Sequence, residues 1–253
     1  GDNWLLRRAR RLLLRAIAWN ADHLLPVSPE LMRHPTLRGA SRRGRLSVVP
    51  NGVDTARIRQ LAGEECDHRW AGGSEALVVT VGRLARQKNL PTLIRALALA
   101  NHTRPINLLI VGPGTASIRA ELTALAEKLG VGHRVELVGE RRNPFPYMRS
   151  ADVFVLPSLW EGRSNVLLEA MACDAPIVAS HTAGDARDLL DDGRFGLLVD
   201  PMDVPALAEA ILQQIGPNAR RPGTRSLQYD QAETMERICA VLLGQVPRRK
   251  LAV

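Results

Sequence analysis

Apolar residues along this chain follow two periods. From Ala76 onward, short continuous runs such as Val153-Phe154-Val155-Leu156 alternate with longer stretches in which apolar positions recur every three or four residues. The short runs suit parallel strands buried on both faces, and the longer ones suit amphipathic helices. Strands are expected at 77–81, 106–111, 135–138, 153–156, 177–179 and 197–199. Helices are expected at 90–100, 116–129, 146–150, 165–173, 186–190 and 204–215. Alternation of this sort predicts an α/β fold, a doubly wound parallel Rossmann-like sheet with helices on both faces.

The flanks read differently. Over 4–20, Leu5, Leu6, Ala9, Leu12, Leu13, Ala16 and Ile17 share one helical stripe, while Arg7, Arg8, Arg10, Arg11 and Arg15 populate the rest. Such a basic amphipathic helix can lie in the interface of an anionic membrane, or it can pack as a surface helix on its own domain. Short strands are expected at 21–27 and 46–49 and a short helix at 29–37, ending in the turn Pro50-Asn51-Gly52-Val53-Asp54. Residues 55–73 carry mixed charge without a period and read as a connector. A Pro/Gly/Arg linker at 216–224 precedes a last helix at 226–243, and Arg248-Arg249-Lys250 reads as a solvated tail.

With 253 residues, 45% hydrophobic and 24% charged, the chain has a globular composition and ample material for a core. The net charge of +8 invites a nucleic-acid reading, yet lysine occurs only at Lys88, Lys128 and Lys250, and aromatics make up 4%. There is no interleaved stacking platform and no recognition motif, so nucleic acid is set aside and an anionic membrane surface is the better basic-face partner. No run reaches the roughly 20 apolar residues of a membrane-spanning helix. A signal peptide is not expected, because arginine pairs break the first apolar stretch, and the opening Gly1 suggests a start partway through something longer. Cys66, Cys173 and Cys239 lack metal or redox spacing, which points to reduced thiols and a cytoplasmic protein, peripheral on the inner face of the cell membrane if the basic helix engages lipid.

Candidate chemistry concentrates in 157–172. Pro157 stops the preceding strand, Ser164 and Asn165 are both good N-caps, and Val166, Leu167, Leu168, Ala170, Met171 and Ala172 propagate a helix. A helix start facing the carboxyl end of a parallel strand offers unpaired N–H groups and positive dipole to a phosphate. Glu161 lies in the loop and Glu169 one turn inside the helix, on the Asn165 face. Close to phosphate, carboxylates suit neutral hydroxyls, hence sugar; singly, each also reads as a solvated or ion-paired acid. After the first strand, Gly82 lets the backbone approach a ligand, and Arg83 and Lys88 in one loop can share a diphosphate or stand as surface cations.

Val111-Gly112-Pro113-Gly114 lacks a dinucleotide fingerprint and reads as a tight turn. Six scattered histidines show no ligand spacing, so no metal is expected, and no Gly-x-Ser-x-Gly elbow or Cys/His pairing suggests a nucleophile.

The Glu161-x7-Glu169 pair, Gly82-Arg83-Leu84 with Lys88-Asn89, and the Pro50-Asn51-Gly52-Val53-Asp54 turn resemble glycosyltransferase family 4, retaining enzymes of the GT-B fold. The resemblance implies a C-terminal GT-B half with a remnant of the N-terminal domain. It implies residues 1–50 as the remnant of an acceptor-binding domain, 51–75 as hinge and connector, 76–216 as the nucleotide-sugar donor domain, and 217–253 as linker and crossover helix. It implies that Arg83 and Lys88 neutralise the departing diphosphate, that Glu161 touches the donor sugar and Glu169 the ribose. Gly82, Gly162, Ser164, Asn165 and Val166 would line the site, Gly139 would stand where the nucleobase lies, and the 184–188 loop would add a donor contact through Asp188. The expected activity is hexose transfer from a UDP-, GDP- or ADP-sugar to a glycan or lipid-linked acceptor in polysaccharide biosynthesis, with no metal or other cofactor. The alternative is a nucleotide-sugar-binding fragment or subunit that needs another chain for the acceptor half.

Overall fold

The computed structural model describes residues 4–27, 35–49 and 51–244. The chain forms two compact units, one of residues 1–52 with 231–253 and one of residues 53–230. Within the larger unit, the strands β1 (Ala76–Val81), β2 (Ile106–Val111), β3 (Val135–Gly139), β4 (Val153–Leu156), β5 (Ile177–Ser180) and β6 (Leu197–Val199) make one parallel sheet in the order β3-β2-β1-β4-β5-β6. β1 stands beside both β2 and β4, so the chain reverses direction across the sheet between β1 and β4. In an open α/β sheet, that reversal opens a crevice at the carboxyl ends of the two strands.

Side chains alternate between the faces, as a strand with period two requires. Val78, Leu108, Ile110, Val153, Val155 and Val178 point into one core, covered by α4 (Leu90–Ala100), α5 (Ala116–Lys128) and α9 (Val204–Ile215). Phe154, Leu156, Ile177 and Ala179 point into the other, covered by α3 (Thr55–Ala62), α6 (Phe145–Arg149), α7 (Asn165–Ala172) and α8 (Ala186–Leu189). Leu167, Leu168 and Met171 of α7 are fully buried. At about 2 kcal/mol for each buried side chain, they anchor the helix and leave its polar start at the sheet edge.

The expected bounds of β2, β4, β6, α4 and α9 coincide with the observed ones. The 55–73 connector does not stay irregular: Asp54 accepts the Arg57 N–H at 2.8 Å and caps α3, whose Ile58 and Ala62 enter the second core. The expected 226–243 helix is split. A 3-10 helix at Arg225–Tyr229 ends in extended Asp230, which bridges to Val53, before α10 (Gln231–Leu242) begins. Residues 217–230, read as linker and the start of the last helix, belong to the sheet unit, where the buried Gln214 amide donates to the carbonyls of Ile177 and Arg220.

The smaller unit contains α1 (Trp4–Asn20), α2 (Arg38–Arg42) and α10. The two strands expected there reduce to one parallel bridge between Leu24 and Leu46. The expected 29–37 helix falls mostly outside the described residues, and 35–37 form a turn. On α1, Ala18 is buried, whereas Trp4, Leu12, Leu13, Ile17 and Trp19 are exposed alongside Arg8, Arg11 and Arg15. No helix among the described residues is long and apolar enough to cross a membrane.

Candidate functional site

Glycine is required at the carboxyl ends of β1 and β2. Gly82 and Gly112 take φ of 151° and 147°, and a Cβ on Gly112 would stand 2.0 Å from the Gly82 carbonyl oxygen. Gly82 donates its N–H to Val111 O, and Gly112 donates to Gly139 O at the end of β3. Three neighbouring strands thus end in a ledge of bare backbone.

Beside this ledge, the loops after β1 and β4 are laced together. Leu159 N–H donates to Gln87 O at 2.9 Å, and Gln87 Nε2 donates to Trp160 O at 2.8 Å and to Glu161 Oε2 at 2.9 Å. Buried Asn89, left-handed at φ 52°, donates through Nδ2 to Pro157 O and Pro201 O. Lys88 Nζ lies 2.7 Å from Glu161 Oε1, with the two side chains 18% and 10% exposed. Ser158 Oγ donates to the same carboxylate oxygen at 2.8 Å. Lys88, read from the sequence as a diphosphate partner or a surface cation, is pinned to Glu161, and its stem lies where a Gly82 side chain would be.

Glu169 is half-buried, and no hydrogen bond or ion pair among the described residues engages its carboxyl. Burial raises its pKa above the usual carboxylate range, with the nearby Lys88 charge opposing. Arg83, one residue after Gly82, is exposed and likewise has no hydrogen bond or ion pair among the described residues. Lys88 contacts Glu161 and lies beside Gly82, and Glu169 lies within reach of the Lys88 charge. Gly139 stands two strands away on the same edge, and Arg141 behind it donates to Tyr147 Oη, which donates to Asp67.

One expectation is corrected. Ser164 occupies the N-cap of α7, but its buried hydroxyl makes no cap hydrogen bond. In the 184–188 loop, Asp188 is tied through its carbonyl to Arg225, whereas Asp185 turns inward and pairs with Arg163. The sequence assigns no role to Gln87, Ser158 or Asn89, whose importance lies in contacts with residues far along the chain. Burial, with Glu169 nearby, pushes the Cys173 thiol up to about 12, which keeps it protonated and unreactive.

A doubly wound sheet with its polar crevice at the β1/β4 switch point defines the Rossmann-like C-terminal half of a GT-B glycosyltransferase fold. The chain belongs to the family described as glycosyl transferases group 1, whose model matches residues 75–216. An N-acetylgalactosaminyltransferase of Campylobacter jejuni, acting on N-acetylgalactosamine-N,N'-diacetylbacillosaminyl-diphospho-undecaprenol, is 28% identical over 92% of this chain and 63% of its own. A GDP-mannose-dependent phosphatidylinositol monomannoside mannosyltransferase of Mycolicibacterium smegmatis is 32% identical over 82% of this chain and 56% of its own. Among solved structures, Anabaena HepE in complex with UDP superimposes with a TM-score of 0.76 at 23% identity, over 92% of this chain and 68% of that one, and shows the fold. The chain spans about 63% and 56% of the lengths of the two curated relatives.

Proposed function

We propose that this chain carries the donor-binding half of a glycosyltransferase that moves a hexose from a UDP-, GDP- or ADP-sugar to a glycan or lipid-linked acceptor, with retention at the anomeric carbon. The observation that carries the reading is the 2.7 Å contact of Lys88 with Glu161, which joins the loops after β1 and β4 at the switch point. Cations, helix-terminal N–H groups and carboxylates then face one crevice, as a ligand with both phosphates and hydroxyls requires.

In this reading Arg83 and Lys88 flank the diphosphate, and the N–H groups at Ser164, Asn165 and Val166 meet it from α7. As the bond from the anomeric carbon to the diphosphate oxygen breaks, the electron pair leaves with that oxygen. Preorganised cations and amides lower the energy of the growing charge, a role assigned here to these groups rather than to a metal ion. Glu161 already accepts from Lys88 and Ser158 on Oε1 and from Gln87 on Oε2. An ionised carboxylate has about four acceptor directions, so one remains, on Oε2, for a sugar hydroxyl. The unengaged Glu169 suits the paired hydroxyls of a ribose. The exposed apolar and basic side chains of α1 suit an anionic lipid surface, where a lipid-linked acceptor would reside.

Titration calorimetry with UDP, GDP and ADP tests the donor site, and hydrolysis and transfer assays with the matching sugars test turnover. Saturable binding of at least one diphosphate, abolished by Glu169→Ala, is expected; no binding of any of the three would sink the reading. Binding without turnover would favour the second reading, a donor-binding part completed by further polypeptide, to which the partial coverage of both relatives points.

A further inference from the structure

The crevice is closed on one side and open on the other. Toward β5 the loops meet so tightly that a Cβ on Gly184 would stand 2.9 Å from Gly162 O and 3.2 Å from Glu161 Cβ. Toward β3, a Cβ on Gly139, at φ 83°, would meet nothing within 4 Å. A ligand that reaches beyond Lys88 and Glu161 therefore has room over the ends of β2 and β3, beside the 140–144 loop.

That loop is tied down twice. Asn143 Nδ2 donates to Leu61 O at 3.0 Å and to Glu64 Oε2 at 2.8 Å, which holds it against the end of α3. Arg141 donates through Nε to Tyr147 Oη at 2.9 Å and through Nη1 to Glu140 O at 3.3 Å. Tyr147, 3% exposed, donates in turn to Asp67 Oδ1 at 2.6 Å. Burial first, and then the bond to Asp67, raise the Tyr147 pKa, so the phenol keeps its proton and turns its oxygen to Arg141. No ion pair joins Arg141 to Asp67 among the described residues; the acid orients the hydroxyl, and the hydroxyl sets the roll of the guanidinium.

Part of the guanidinium is left over. It carries five N–H groups and no acceptor. Both N–H groups on Nη2 and one on Nη1 have no partner among the described residues, and the side chain is exposed. A cation needed only for its charge could swing freely, whereas one rolled into place by a buried phenol has a fixed direction for its donors. Such donors match a carbonyl oxygen, alone or beside a ring nitrogen, and they oppose an amino group. Guanine presents O6 with N7 and uracil presents O4, while adenine carries an amine at the equivalent position.

We infer that Arg141 reads the donor's nucleobase, with Tyr147 and Asp67 as its positioning residues, and that the site takes a base bearing a ring carbonyl, guanine or uracil, in preference to adenine. The inference rests on the donor-site reading above and narrows it by setting ADP aside. Arg141 touches the edge of the base and takes no part in bond breaking.

Two matched pairs isolate the carbonyl: inosine diphosphate against ADP among purines, and UDP against cytidine diphosphate among pyrimidines. Within each pair an oxo group replaces an amino group at one ring position. Titration calorimetry on the full chain compares wild type, Arg141→Ala and Tyr147→Phe, with thermal melts alongside. In any pair that binds, the oxo member is expected to bind about ten- to a hundredfold more tightly than its amino counterpart. Arg141→Ala should bring that ratio near one, and Tyr147→Phe, which keeps the ring in its core, should lower it several-fold. Should one variant fail to fold, the other reads the same ratio. An amino member bound as tightly as its oxo counterpart by wild type, or a ratio unchanged in either folded variant, overturns the assignment and leaves the donor site standing. Equal weakening of both members by Arg141→Ala does the same, because the guanidinium would then be stacking on the base face, which every base offers. A wild type that binds none of the nucleotides removes the donor site itself, and the inference with it.

Discussion

Replacing Lys88 by methionine separates the contribution of the Lys88–Glu161 pair to the fold from its contribution to the ligand. At 2.7 Å and an effective dielectric constant of about 20, the gross attraction is about 6 kcal/mol, and desolvating two ions offsets most of it. The intact pair is therefore close to neutral for stability. Removing one partner is different, because the Glu161 carboxylate, 10% exposed, is left with Ser158 and Gln87 as donors. Breaking a fully buried pair costs about 3–5 kcal/mol; the partial exposure and two surviving donors place Lys88→Met nearer 2–3 kcal/mol. For a domain of this size that lowers Tm by about 4–12 °C. Lys88→Met combined with Glu161→Gln should recover most of the loss, giving a coupling of at least about 1 kcal/mol in a double-mutant cycle read by thermal melts. Calorimetry on the same proteins should show diphosphate affinity lost in both the single and the double variant. Single-variant losses that simply add within about 0.5 kcal/mol would refute the reasoning, because the two charges would then not be interacting.

Arg83→Ala should leave Tm unchanged, the side chain being exposed and unpaired among the described residues, while diphosphate affinity measured by calorimetry falls about ten- to a hundredfold. Because burial raises the Glu169 pKa in the fold, this group favours the folded state most below the unfolded carboxylate range, and that contribution fades as pH rises through the folded value. Glu169→Gln should flatten this part of the stability profile in melts run across pH, and should also weaken nucleotide binding. Gly112→Ala drives a methyl to 2.0 Å from the Gly82 carbonyl oxygen; a loss of about 3 kcal/mol, visible as a lower denaturant midpoint, is expected.

The sheet was legible because parallel strands buried on both faces leave unbroken apolar runs, and α4 and α9 because each has proline in its first turn and a clear apolar stripe. α3 escaped notice because its buried face is only Thr55, Ile58 and Ala62, although Asp54 was a readable cap. The break at Asp230 left no local sign, since it arises from a bridge to Val53, far away in sequence. In the site, residue types and their loops could be read, but partnerships could not. Nothing local says that Lys88 meets Glu161, or that Asp185 rather than Asp188 turns inward, because loops distant in sequence meet only after the sheet forms.

The ledge at the ends of β1, β2 and β3 is mostly peptide, with the Lys88 stem against Gly82, and peptide planes are alike whatever the surrounding sequence. Under the donor-site proposal, a floor of that kind does not discriminate one sugar nucleotide from another. Identity must come from the walls, the loops that rise around it, and these can be rewritten without disturbing the base on which they stand. Under the same proposal, that division directs any effort to change donor preference toward the loops after β3, β4 and β5.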